Sequence, residues 1–120
     1  MKYKICYIDD MSYGIPQVIN AIPKNIEYEF FYYDRISEIP DTVFDIVILD
    51  FYLDKDKKTA LDIVDRFLES IVISFSSAES KNELMLENWA DSRAQKLSKT
   101  NENPELENIF NEIFIKKIGV

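Results

Sequence analysis

The chain has 120 residues, with 14 basic and 22 acidic side chains and no histidine, giving a formal net charge of −8. That length supports one domain with a single core, and the acidic balance disfavours nucleic acid or an anionic membrane as the main partner. A hydrophobic fraction of 47% excludes disorder, and a single cysteine excludes a disulfide framework.

The first predicted element is the short apolar strand Lys2-Tyr3-Lys4-Ile5-Cys6-Tyr7-Ile8, which ends in the acid pair Asp9-Asp10. Cys6 lies inside it and reads as a buried, inert thiol. Met11 to Ile22 carries Ile15, Val18, Ile19 and Ile22 at helical spacing, with Pro16 tolerable only near the helix start. Pro23-Lys24-Asn25 breaks that helix, and Ile26 to Tyr33, rich in aromatic and β-branched residues, predicts a second strand. Asp34 to Phe44 holds few apolar residues and a proline, so any helix there is short or irregular.

Asp45 to Asp50 is the third strand. Its run Ile46-Val47-Ile48-Leu49 does not alternate, as expected of a parallel strand covered on both faces. A charged loop, Asp54 to Lys58, precedes Thr59, a candidate cap for a helix containing Ala60, Leu61, Ile63, Val64, Phe67 and Leu68. Ile71 to Phe75 predicts the fourth strand, ending in Ser76-Ser77, and Ser80 precedes a helix through Leu84, Met85, Leu86 and Trp89. Ala94 to Ser98 is assigned as a fifth, edge strand, and a helix from Pro104 through Leu106, Ile109, Phe110, Ile113 and Phe114 closes the chain. Five strand-helix alternations with right-handed crossovers predict a doubly wound α/β domain, a parallel sheet between helices, spanning residues 1–120.

In open α/β sheets the ligand site lies beyond the carboxyl ends of the strands. There stand Asp9 and Asp10 after the first strand, Asp50 after the third, Ser77 after the fourth and Lys99 after the fifth. Carboxylates brought together repel by roughly 4 kcal/mol per close pair at an effective dielectric of about 20. Such a cluster calls for a cation, and oxygen ligands supplied singly from loops suit Mg²⁺ better than Ca²⁺.

An acid pair, a lone acid, a hydroxyl and a lysine in that order, with Ser77 placed 27 residues after Asp50 and Lys99 placed 22 after Ser77, resemble the receiver domain of bacterial two-component response regulators. The resemblance covers essentially the whole chain. It implies the flavodoxin-like strand order 2-1-3-4-5, with Asp50 as phosphoacceptor, Asp9 and Asp10 as Mg²⁺ ligands together with Asp50 and the backbone carbonyl of Tyr52, Ser77 as switch hydroxyl, and Lys99 as the partner of the phosphoryl group. Lys96 is the other lysine that the fifth strand offers, set aside here because Arg93-Ala94-Gln95 is very polar for a strand and a longer loop would then follow. The chain departs from the family in Thr100, where a proline normally follows the lysine, in Ala60, where a glycine is usual, in a longer loop before Ala60, and in Lys96, where an aromatic commonly stands three residues before the lysine.

The implied role is a cytoplasmic signalling domain that is not an enzyme acting on an external substrate but catalyses its own phosphorylation and dephosphorylation. Its partners would be a sensor histidine kinase or phosphotransfer protein and a downstream protein or fused output domain, without direct nucleic acid or membrane contact. The alternative is a receiver-like fold serving as a constitutive, non-phosphorylated protein-binding module. A haloacid-dehalogenase-type phosphatase expects a second aspartate two residues after the nucleophile, where this chain has Tyr52 or Met11.

Overall fold

A computed structural model describes residues 2–117. Five parallel strands form the sheet: β1 (Tyr3–Ile8), β2 (Tyr28–Tyr33), β3 (Ile46–Leu49), β4 (Ile71–Ser76) and β5 (Ser92–Gln95), in the order 2-1-3-4-5. The three helices are α1 (Ile15–Ala21), α2 (Glu79–Asn88) and α3 (Pro104–Glu112). This is the doubly wound architecture expected from the alternation.

Alternate residues of each central strand face opposite sides, and both sides are covered. On one, Ile5, Tyr7, Ile46, Ile48, Ile73 and Phe75 pack against Val18 of α1 and Leu106 and Phe110 of α3. On the other, Cys6, Ile8, Val47 and Leu49 pack against Ile63, Val64, Phe67 and Met85. Burial pushes the Cys6 thiol up to about 12, so it stays protonated. Asn103 caps α3 by accepting the Leu106 amide at 3.1 Å, with Pro104 in the first turn. Past Glu112 the chain continues as a wider π-helical turn, Ile113–Lys117.

Three expectations need correction. The helix foreseen from Thr59 is two 3-10 turns, Ala60–Asp62 and Val64–Phe67. The apolar face is kept, since Ala60, Ile63, Val64 and Phe67 are all buried. Ile63, however, sits at φ −128° and ψ 0°, outside the helical region, and splits the segment. The charged loop before it is no simple loop: Tyr52–Leu53 and Lys58–Thr59 pair as a small antiparallel hairpin.

Strand β5 is displaced most. It runs from Ser92 to Gln95, ending three residues before the predicted Ser98. It pairs only with β4, so an edge strand with one fully buried residue, Ala94, suffices. Arg93 turns outward to Glu79 (2.9 Å) and Glu83 (2.8 Å) of α2.

Candidate functional site

Pairing of β1 with β3 sets Ile8 beside Leu49, so the residues that follow emerge side by side at the carboxyl end of the sheet. The Asp50 amide donates to the Ile8 carbonyl at 3.0 Å, extending this pairing by one step. Asp9, Asp10 and Asp50 therefore converge, each offering a carboxylate oxygen within 4.8 Å of the others. Two oxygens on opposite sides of a Mg²⁺ ion stand about 4 Å apart, so the cluster needs only slight contraction to hold one.

The chain's own donors divide the three acids. Asp9 is fully buried and accepts from the Tyr7 hydroxyl, from Lys96 Nζ at 2.5 Å and from the Met11 amide at 3.0 Å. Three of its roughly four lone-pair positions are thus engaged. Asp10 is only partly buried and takes the Asp54 amide at 3.2 Å. Asp50 lies 3.6 Å from Lys96 Nζ. Asp10 and Asp50 hold the freer oxygens, and this donor set fits Mg²⁺, which coordinates a few carboxylates and retains water.

Electrostatics follow from burial. Desolvation, with the Asp9 charge adding and Lys96 opposing, pushes the Asp50 carboxyl up to about 7. Burial and the Asp9 charge also raise Asp10. Burial opposes the charge of Lys96, but Asp50 and Asp9 outweigh it and hold the amine above its ordinary value. Burial and the neighbouring Asp9 keep the Tyr7 phenol protonated, so Tyr7 is the donor in its bond to Asp9.

Lys99 does not reach this site, which is the main correction to the expected constellation. It is exposed and adopts the left-handed conformation at φ 60°. Because β5 ends at Gln95, the residue leaving the strand end beside the acids is Lys96, whose amine is buried against Asp9 and Asp50 and lies 4.9 Å from the Tyr13 ring centroid. The position three residues before the lysine is then Arg93, again not aromatic.

Ser77 is the first residue after β4 and is exposed; its hydroxyl makes no hydrogen bond among the described residues. Ser76, by contrast, is buried. Its Oγ accepts the Ala78 amide (3.2 Å), and Asn82 of α2 binds its backbone amide (2.9 Å) and carbonyl (2.8 Å). Tyr52 opposes Thr59 in the hairpin, while the adjacent Ala60 amide donates to the Phe51 carbonyl at 2.7 Å. In antiparallel pairing that leaves the Tyr52 carbonyl facing away from the partner strand, uncommitted to the hairpin ladder.

Tyr7, Gln17, Asn82 and Asn103 were not foreseen. For Tyr7 a signal existed, because residues two apart on a strand share a face, so a phenol stands over the Asp9 carboxylate. Gly14 belongs to the same arrangement, since a Cβ there would lie 2.2 Å from the Tyr7 hydroxyl.

At the carboxyl end of the sheet, three carboxylates compatible with a metal site thus stand beside a buried amine. No family model matches the chain, and no curated protein matches it. Solved structures do. The phosphorylated cyanobacterial phytochrome response regulator RcpA is similar at 13% identity and a TM-score of 0.68, over 98% of this chain and 96% of that one. A CheY-like response regulator receiver domain from Methanospirillum hungatei matches at 15% identity and TM-score 0.67 over the full length of both. The response regulator DrrB of Thermotoga maritima, an OmpR/PhoB homolog, matches at 18% identity and TM-score 0.67, over 98% of this chain but only 54% of DrrB. The fold is that of response regulator receiver domains. Among the described residues no helix is long and apolar enough to cross a membrane.

Proposed function

We propose that this chain is a phospho-accepting receiver domain of a two-component system, acting in the cytoplasm. The observation that carries the reading is the Asp50 carboxylate, at the end of a central strand, 3.6 Å from a buried lysine amine and clustered with Asp9 and Asp10. An Asp50 oxygen would attack phosphorus of a phosphohistidine on a partner kinase or phosphotransfer protein. An O–P bond forms, the P–N bond breaks, and its electron pair leaves with the imidazole. Mg²⁺, held by Asp9, Asp10, Asp50 and the Tyr52 carbonyl, would supply charge neutralisation on the transferring oxygens.

The protein's own residues do the rest. Lys96 places positive charge beside Asp50, and Asp9, bonded to Tyr7 and Lys96, keeps that amine aimed inward. Ser77, whose hydroxyl is unbonded, is free to donate to a phosphoryl oxygen and draw its loop inward, whereas Ser76 is held by Ala78 and Asn82. That movement would alter a face read by a downstream protein or an output domain.

Incubation with acetyl phosphate tests this by intact mass. Wild type should gain one phosphoryl group with Mg²⁺ and none with EDTA, and Asp50→Asn should gain none. Equal labelling of the Asn variant would remove Asp50 from the role, and no labelling of wild type by acetyl phosphate or by a histidine kinase would favour a constitutive binding module.

A further inference from the structure

We infer that Gln17 is a positioning residue for Lys96, clamping the turn after β5 so that the lysine amine is held at the acid cluster. The inference rests on the reading of Asp50 and Lys96 above. Lys96 is the first residue past an edge strand, a place where an unpaired chain end would fray. Its own amide is tied to the Ser76 carbonyl at 3.1 Å. The next residue, Leu97, has no strand beside it, and the side chain of Gln17 takes that place. Gln17 Nε2 donates to the Leu97 carbonyl at 2.7 Å, and the Leu97 amide donates to Gln17 Oε1 at 3.1 Å. One primary amide thereby engages both backbone groups of Leu97, as a neighbouring strand would.

Gln17 is itself fixed. It is fully buried, and its Oε1 also accepts Asn103 Nδ2 at 2.9 Å. The same Asn103 Nδ2 donates to the Gln95 carbonyl at 2.8 Å, while Asn103 Oδ1 caps α3. Gln95, Lys96 and Leu97 are thus each bonded at the backbone. A buried polar pair so fully satisfied specifies one arrangement, because any other leaves amide groups unpaired without water. Gln17 also stands on α1, the helix that follows the Asp9-Asp10 loop, so one helix registers the acids and the lysine against each other. A solely structural glutamine would need no partner at the residue after the lysine; packing of α1 is already supplied by Val18 and Ala21.

The test follows the Lys96 ammonium protons by nitrogen-resolved NMR in the metal-free full chain. In wild type, buried against Asp9, they should exchange slowly enough to be seen. Gln17→Met keeps the volume and removes every bond; it should speed Lys96 ammonium exchange roughly tenfold, the scale of losing a hydrogen-bonded clamp. Val18→Ala is the control, a core truncation on the same helix that lowers global stability and should leave Lys96 exchange within about twofold. Asn103→Ser, which keeps a side-chain oxygen to cap α3 and removes the two Nδ2 bonds without adding a charge, should give a smaller rise and decides the matter if Gln17→Met fails to fold. Unchanged Lys96 exchange in the folded Gln17 or Asn103 variant, or an equal rise in Val18→Ala, would overturn the proposal. With acetyl phosphate, Gln17→Met should still take one phosphoryl group but show a reduced change in amide protection, as should Lys96→Ala. A wild type that takes no phosphoryl group would defeat the functional reading while Lys96 exchange still decides the clamp.

Discussion

Replacing Asp50 by Asn should stabilise the metal-free protein, and the size of the effect should depend on pH. The carboxyl titrates near 7 in the folded chain, raised by burial and by Asp9, against about 3.9 when unfolded. Between those values the native state holds the proton that the unfolded chain has released, so stability falls as pH rises from about 4 to about 7 and then levels off. Three pKa units at 1.36 kcal/mol each set a ceiling of about 4 kcal/mol. For a domain of this size, about 4 °C of melting temperature accompanies each kcal/mol, so Asp50→Asn should melt up to roughly 15 °C higher than wild type at pH 8. At pH 4 the two should nearly coincide. Thermal melts across pH 4 to 8 in EDTA measure this directly. A difference that is constant with pH, or an Asn variant that melts lower at pH 8, would refute the claim that Asp50 is held among like charges in a dry site.

Millimolar Mg²⁺ should raise the wild-type melting temperature by mass action, about 1.4 kcal/mol at tenfold excess over its dissociation constant, and should do little for Asp50→Asn; calorimetric scans check both. Lys96→Ala should still accept a phosphoryl group but lose the accompanying change in amide protection, whereas Lys99→Ala, altering an exposed residue, should switch normally; hydrogen exchange before and after acetyl phosphate separates them. Ser77→Ala should also blunt that change, and Ser76→Ala should instead lower stability. Tyr7→Phe should cost roughly 1.5 to 3 kcal/mol in urea denaturation, because it removes a donor from a buried carboxylate. Gly14→Ala should cost roughly 1 to 3 kcal/mol, since its Cβ would meet the Tyr7 hydroxyl at 2.2 Å.

The central strands were legible because burial on both faces writes itself as an unbroken apolar run, as in Ile46 to Leu49, and the acids at their ends followed from that. Strand β5 was not, since its edge position needs only Ala94 to be apolar and leaves Arg93 and Gln95 free to be polar. Lys99 is favoured over Lys96 in the sequence both by the polarity of Arg93-Ala94-Gln95 and by loop length. The longer stretch after Lys96 is held by Gln17 and Asn103, whose hydrogen bonds join residues up to 86 positions apart in sequence. Local periodicity carries no trace of such partners. The turns from Ala60 to Phe67 kept their helical spacing of buried residues while losing the α-helix itself, because spacing reports which face is buried and not how the backbone closes its bonds.

Chemical trapping tests the central claim most directly. Protein treated with acetyl phosphate and Mg²⁺, then reduced with borohydride, should yield homoserine in place of Asp50 on peptide sequencing, with every other aspartate unchanged. Homoserine at Asp9, Asp10 or Asp54 in its stead, or a stable phosphate on Ser77, would contradict the account.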